Sequence, residues 1–227
     1  DPTERLLWGH GRFEGVFTLA EVDAMLRSDG ISYLAPDGSN TKIAFFQCVG
    51  SRDATAGANY CSQYCCKAAL RMALKLIHEC PDTEVTIFYI DLQVAGKSAG
   101  ELLELAEQKK VVLRQGVPGE IVQADDGGLD VVVENQGQNA KERFDRVILS
   151  IGQRPAAVPS QFADLGLPIN EFGFLETLSA LDSSRTSLPG VYVAGASSGP
   201  KDIAQTLDNA GQTAAAILAD FQGGTLR

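Results

Sequence analysis

The sequence predicts an α/β fold: a Rossmann-like, three-layer parallel sheet with a small antiparallel meander beside it. Two apolar runs of strand length, residues 42–49 and 84–91, are separated by residues of about 60–79, whose apolar side chains recur every three or four positions as in a helix. Strands joined through a helix pair in parallel, because the crossover returns the chain to the end of the sheet where it started. Alternating runs at 119–124 and 129–134 flank an Asp-Asp-Gly-Gly turn, which predicts the meander.

The first 41 residues carry the weakest pattern and are predicted to form an irregular segment with one short helix. Thr18 is the predicted N-cap of this helix, which should run through Leu26. Glu21 stands three residues after Thr18 and completes a capping box. His10, one of two histidines, is expected in a surface loop rather than in a redox role.

The remaining elements follow from the same patterns. Residues 98–110 form a helical pattern with a leucine-rich buried side, and residues 111–116 are a further strand. After the meander, residues 144–152 (FDRVILSIG) are predicted to return to the parallel sheet. A domain at 42–145 therefore carries the sheet and the meander.

Four of the five cysteines lie close together, in the pattern C-x12-C-x3-C-C formed by Cys48, Cys61, Cys65 and Cys66. Cys48 is predicted to end a strand and Cys61 to open a helix, which would place Cys65 one turn later on the same helix face. Sulfurs from a strand end and a helix start can meet at one point. A helix N-terminus also favours the negative charge of thiolates.

Converging thiolates suit tetrahedral zinc or an iron–sulfur cluster. The spacing lacks the two short cysteine pairs of common zinc motifs. Adjacent cysteines would also strain the backbone around a single ion, whereas a cluster spreads its ligands over a larger body. Two other interpretations stay open at this point: buried apolar cysteines, and a vicinal disulfide between Cys65 and Cys66.

Composition limits the function further. The 227 residues carry a net charge of −10, which argues against nucleic-acid binding because that function needs a basic face. No apolar run reaches the ~18 residues of a membrane span, and no signal peptide is predicted. Cysteines gathered in one motif, without a framework of pairs, predict a reducing, cytoplasmic location.

The motif resembles that of a known family. CVGSRD at 48–53, followed by YCSQYCC at 60–66, is similar to the family of heterodisulfide reductase A subunits, whose members are FAD- and iron–sulfur-containing flavoproteins of the pyridine nucleotide–disulfide oxidoreductase superfamily. The likeness continues through residues 86–97, 144–155 and 189–203 and covers nearly the whole chain. The resemblance implies that a [4Fe–4S] cluster close to an FAD is ligated by Cys48, Cys61, Cys65 and Cys66.

The resemblance also implies a division of the chain. Residues 42–145 match a degenerate dinucleotide-binding domain, in which only Gly50 remains of the usual G-x-G-x-x-G/A turn. Those glycines normally let a pyrophosphate approach the helix N-terminus, so we expect the cysteine loop in place of a standard NAD(P)H site. Residues 146–227 match the C-terminal half of an FAD-binding domain.

Flavin-side residues follow from the same likeness. Flavoproteins of this architecture bind flavin where a strand, here predicted at 190–194, turns into a helix that begins near 201–203. The implied flavin contacts are Gly195, Ala196, Lys201, Asp202, Ile203 and, at the crossing from the sheet, Gly152. Arg71 stands where the family has a lysine near the flavin, which implies a charge-tuning role; an exposed helix cation is the alternative. Arginine effectively cannot lose its proton, so a role that needs a neutral amine is unsuited to it.

The expected function is electron transfer between flavin and the cluster, with flavin-based bifurcation as one form of it. The first FAD half, a G-x-G-x-x-G turn followed by an acidic residue, is not found in the sequence. We therefore expect the chain to need other subunits of a heterodisulfide-reductase-like complex or the rest of a larger polypeptide, and to bind FAD weakly and be inactive alone. Two alternatives remain: an NAD(P)H-dependent disulfide oxidoreductase with a redox cysteine pair, and a structural or docking domain whose cysteines bind zinc or nothing.

Overall fold

A computed structural model describes residues 8–28, 30–36, 40–135, 137–156 and 165–223 of the chain. The chain divides into two compact units, Asp1–Gly152 and Gln153–Arg227. Each unit is described by itself below.

Two sheets form the first unit, and together they confirm the predicted fold class. Its strands within the described residues are β1 Val16–Thr18, β2 Lys42–Val49, β3 Glu84–Tyr89, β4 Val112–Gln115, β5 Glu120–Gln123, β6 Leu129–Asn135, β7 Gln138–Phe144 and β8 Arg146–Ile151. Five of them make a parallel sheet in the order β1-β8-β2-β3-β4. The antiparallel meander has the order β5-β6-β7.

Four helices accompany the sheets of the first unit in its described part: α1 Leu19–Arg27, α2 Ile31–Leu34, α3 Cys65–Glu79 and α4 Ala99–Gln108. Helix α1 begins as predicted. The Thr18 side chain accepts the Glu21 N–H, and the Glu21 carboxylate accepts the Thr18 N–H at 2.7 Å. This capping box satisfies backbone groups that the first helical turn would otherwise leave unpaired.

Successive side chains of β2 point to opposite faces of the parallel sheet, and each face is covered by its own hydrophobic core. Ile43 and Phe45 are fully buried in a core shared with α1, α3 and α4. Ala44 and Phe46 face the other way, into a second core shared with the meander. Because successive strand residues point to opposite faces, a continuous apolar strand is what a sheet covered on both sides requires.

Helix α3 begins later than the sequence predicts. The pattern places Cys61 at the helix start, but α3 begins at Cys65 and Cys61 lies in the preceding loop. Gln63 has a φ of 63°, a left-handed conformation that a right-handed helix excludes. The prediction that Cys61 and Cys65 occupy successive turns of one helix is therefore wrong.

Three other elements differ from the prediction. Strand β1 is only three residues long, and β7 (QNAKERF) is polar or charged except at Ala140 and Phe144, so neither has a clear sequence signal. Residues 190–194 contain an isolated bridge between Arg185 and Tyr192 in place of the predicted strand.

The second unit contains a long helix, α5 Ile203–Gln222, and a short 3-10 turn, Gly195–Ser198. Asp202 is the N-cap of α5 and forms a second capping box with Gln205. The buried side chain of Asn209 accepts the Gly195 N–H at 2.8 Å. None of the described helices of the chain combines the length and the apolar character needed to cross a bilayer.

Candidate cysteine site at the carboxyl edge of the sheet

The strand order places the cysteine motif at a switch point of the sheet. Strand β2 lies between β8 and β3, and all three run parallel, so their carboxyl ends meet at one edge. From β2 the chain passes through α3 to β3 on one side, while β8 pairs on the other. Ligands of open α/β sheets bind at this kind of crevice. The segment from Cys48 to Cys66 lies there.

The end of β2 is distorted. Its register against β8 shifts between Phe46 and Val49, as in a β-bulge. Cys48 has a φ of 63° and Arg52 a φ of 56°, both left-handed. Non-glycine residues rarely adopt this region, and such strain is concentrated at functional sites. The sharp turn directs the chain out of the sheet and into the cysteine loop.

Gly152 keeps the loop and the end of β8 in contact. Its N–H donates to the Val49 carbonyl at 2.8 Å. A Cβ at this position would lie 2.9 Å from the Gly50 carbonyl oxygen, the Ser51 Cβ and the Ser62 Oγ. Only glycine fits this approach without moving the loop. The structure places Gly152 against the cysteine segment; its contact with flavin stays a prediction.

The four motif cysteines share one electrostatic environment. Burial first, and then the charge of neighbouring thiolates, raises the pKa of Cys48 to about 11 and that of Cys65 to about 12. The pKa of Cys65 responds to each of the other three motif cysteines. All four are free thiols, and all four lie in the segment from the end of β2 to the first turn of α3. Cys80, the fifth cysteine, donates to the Ala35 carbonyl outside this group.

The motif cysteines do not form a closed metal site as they are placed. Among the described residues, no three cysteine, histidine or carboxylate side chains form a group that could hold one metal ion as placed.

Backbone amides donate hydrogen bonds to two of the cysteines. The Gln63 N–H points at the Cys61 Sγ, 3.3 Å away. A backbone hydrogen bond from Gln93 lowers the pKa of Cys66 against the larger effect of burial. Hydrogen bonds of this kind tune iron–sulfur clusters. The donor set of four thiols with amide support fits a thiolate-bound cluster.

Arg52 places a cation at this site, which the sequence did not predict. Its guanidinium forms an ion pair with Asp91, which follows β3. Its charge lowers the pKa of Cys48 and of Cys66. Arg71, the predicted charge-tuning residue, is exposed on α3. The sequence signal for Arg52 was its place in CVGSRD, four residues after Cys48 and directly before a turn.

Five of the residues predicted to contact flavin lie around the turn that precedes α5. Gly195 has a φ of 70°, and its N–H is held by Asn209. The Lys201 ammonium donates to the Ser198 hydroxyl at 2.8 Å, and burial lowers the pKa of Lys201. The capping of α5 uses the Asp202 carboxylate, and Ile203 is exposed. Ala196 is part of the 3-10 turn.

Comparison with known proteins identifies the family. No protein-family model matches the chain. The A subunit of the H2:CoB-CoM heterodisulfide,ferredoxin reductase of Methanothermobacter thermautotrophicus is 35% identical over 225 residues, which cover 95% of this chain and 34% of that protein. The chain is homologous to part of the heterodisulfide reductase A subunit. The iron–sulfur A subunit of Methanocaldococcus jannaschii CoB–CoM heterodisulfide reductase is 34% identical over 238 residues, covering 100% of the chain and 36% of the relative.

The chain thus spans about a third of the length of these two relatives. Solved structures agree on the fold. Thioredoxin reductase of T. acidophilum has a TM-score of 0.59 at 17% identity, covering 91% of this chain and 58% of its own. An HOCl-induced flavoprotein disulfide reductase of Escherichia coli has a TM-score of 0.57 at 14% identity, with 93% and 41% covered. The chain therefore has the fold of these oxidoreductases.

Proposed function

We propose that this segment of a heterodisulfide reductase A subunit holds a [4Fe–4S] cluster and serves electron transfer between that cluster and FAD. The cluster ligands would be Cys48, Cys61, Cys65 and Cys66. Such a cluster, when bound, accepts and donates single electrons. The observation that carries the proposal is the position of these four free thiols, from the end of β2 to the first turn of α3, at the carboxyl edge of a parallel sheet.

Several features of the chain support the cluster. The end of β2 and the start of α3 supply sulfurs from two rigid elements, which fixes their directions. Cys65 and Cys66 are buried, which limits the access of water. The relative from Methanocaldococcus jannaschii is named an iron–sulfur protein of its complex.

The backbone of the loop after β2 supports our expectation that this loop is not a standard NAD(P)H site. A pyrophosphate needs glycines that let backbone N–H groups approach it. Here the Arg52 N–H donates to the Tyr60 carbonyl at 2.9 Å, and the Asp53 N–H donates to the Ala58 carbonyl at 3.2 Å. These amides are engaged within the loop itself.

For FAD we propose contacts within the second unit, at the turn before α5, through Gly195, Ala196, Lys201, Asp202 and Ile203. For the first unit we propose, from the family resemblance alone, a flavin contact at Gly152 and a charge-tuning role for Arg71. Gly195 supplies the left-handed bend of this turn, and Lys201 supplies a half-buried cation. The proposed partners are further subunits of a heterodisulfide-reductase-like complex or further parts of the same polypeptide, in the cytoplasm.

Elemental analysis of the anaerobically purified protein tests this function. We expect about four iron and about four acid-labile sulfide per chain, as a cubane cluster requires. Zinc without iron or sulfide would contradict the proposal and support a structural zinc domain. A protein with neither metal but with a reversible Cys65–Cys66 or Cys61–Cys65 disulfide would support a disulfide oxidoreductase.

A further inference from the structure

An ion pair between Arg52 and Asp91 lies beside the cysteine site, and neither residue is one of the predicted ligands. Arg52 follows Cys48 by four residues, and Asp91 follows the end of β3 by two. Because β2 and β3 are parallel neighbours, both residues lie at the same edge of the sheet. Their side chains are 27% and 47% exposed, and Nη1 of Arg52 pairs with Oδ1 of Asp91.

The loop fixes the backbone of Arg52 on both sides. Its left-handed φ of 56° is unfavourable for a residue with a side chain. The Arg52 N–H donates to the Tyr60 carbonyl, directly before Cys61. The next residue, Asp53, accepts the Thr55 N–H at 2.8 Å through its carboxylate. The loop thus holds Arg52 in an unfavourable backbone conformation, which indicates that the direction of its side chain is important for the site.

The ion pair and the cysteine segment share one edge of the sheet. Arg52 and Cys48 line one cavity of about 460 Å³, with aromatic walls that include Phe46 and Phe88. The guanidinium of Arg52 therefore lies on the side of the loop that Cys48 occupies, and Asp91 is its counter-charge. In such a partly dry environment a fixed charge acts more strongly than in water.

We propose that Arg52, oriented by Asp91, is a positioning residue that stabilises negative charge on the four-cysteine site and so raises the reduction potential of the centre held there. The second clause rests on the proposed function. Reduction adds one negative charge to the centre, so a nearby cation favours the reduced state and a nearby anion disfavours it. The ion pair with Asp91 therefore does two things: it orients the Arg52 guanidinium, and its negative charge partly cancels the stabilisation that Arg52 gives to the reduced centre.

A redox titration of the anaerobically reconstituted protein, followed by absorbance and electron paramagnetic resonance, tests the proposal. Arg52→Met should shift the ratio of reduced to oxidised centre about tenfold toward the oxidised form at a fixed potential, which for one electron is ~59 mV. Asp91→Asn keeps the cation and removes its counter-charge, so it should shift the ratio the other way. Arg52→Lys keeps the charge and should stay nearest to the wild type.

The exposed ion pair of Arg27 with Asp23 on α1 supplies matched controls. Arg27→Met and Asp23→Asn make the same changes of net charge and should leave the potential unchanged. Shifts of Arg52→Met and Asp91→Asn in the same direction, or shifts no larger than those of the controls, would overturn the inference, since a merely structural role predicts one of these results.

A second measurement separates this inference from the proposed function. In metal-free protein, alkylation of Cys48 and Cys66 by iodoacetamide should be slower in Arg52→Met and faster in Asp91→Asn. If the wild type holds no iron but the alkylation rates respond in this way, the proposed function fails while the action of Arg52 on the site stands. If the rates do not respond, the inference fails whatever the iron content.

Discussion

Gly152 leaves no room for a side chain beside the cysteine loop. A methyl group there would meet three atoms of the cysteine loop at 2.9 Å. We expect Gly152→Ala to lower the free energy of unfolding of the first unit by about 1–3 kcal/mol, because overpacking forces the surrounding backbone to move. It should also lower the iron bound on reconstitution, since the displaced loop carries Cys61.

Urea denaturation followed through Trp8, together with iron analysis, measures both effects. Gly100→Ala on α4 is the matched control, because a Cβ there meets nothing within 4 Å and alanine is the better helix former. Gly152→Ala with the stability and iron content of the control would show that the close packing at this position is unimportant.

Residue patterns predicted the cysteines but not the cation beside them. Four cysteines in a short stretch are rare enough to mark a site in the sequence alone. Arg52 could not be recognised in this way, because one arginine in a turn is usually a solvated surface charge. Its proposed role depends on Asp91, which is distant in sequence and reaches Arg52 because β2 and β3 pair in parallel.

At the scale of elements, helix α5 is held to the rest of the second unit by a charged network. Arg185 donates through Nε and Nη2 to both oxygens of Asp220, at 2.8 and 2.9 Å, and Tyr192 donates to Asp220 at 2.6 Å. Hydrogen bonds from Arg185 first, and then from Tyr192, lower the pKa of Asp220. The network connects the last turns of α5 to residues 182–192.

This network predicts a pH-dependent loss of stability. A carboxylate whose folded-state pKa is lowered adds stability that is present above its ordinary pKa and is lost as the pH falls through the lowered value. Asp220→Asn should therefore lower the thermal midpoint of the second unit at neutral pH, and its difference from the wild type should shrink in acid. Asp208→Asn, exposed on the same helix, is the control. A difference that is the same at both pH values would refute the carboxylate's role.

Element types were predicted more reliably than element ends. Apolar strands and an amphipathic helix follow from side-chain periodicity, and the Thr18–Glu21 capping box follows from two residues. The start of α3 could not be predicted, because residues 60–64 continue the polar and apolar alternation without a helix breaker. The left-handed Gln63 that ends this continuity is imposed by the loop and has no composition signal.

At the scale of the whole molecule, the carboxyl edge of the parallel sheet positions the cysteine segment. The parallel strands supply rigid ends at Val49 and Ile151, and α3 supplies buried sulfurs at its first turn. A standard dinucleotide-binding domain would use this edge for a pyrophosphate. In this chain a cysteine loop with engaged amides and a fixed cation takes that position.

The most direct test of the central claim is the iron and acid-labile sulfide content of five single variants, each cysteine replaced by alanine and reconstituted anaerobically beside the wild type. We predict that Cys48→Ala, Cys61→Ala, Cys65→Ala and Cys66→Ala each lose most of the iron and sulfide, while Cys80→Ala retains both. Full iron and sulfide in any of the four motif variants that folds as the wild type does would contradict the claim that these four thiols hold one centre.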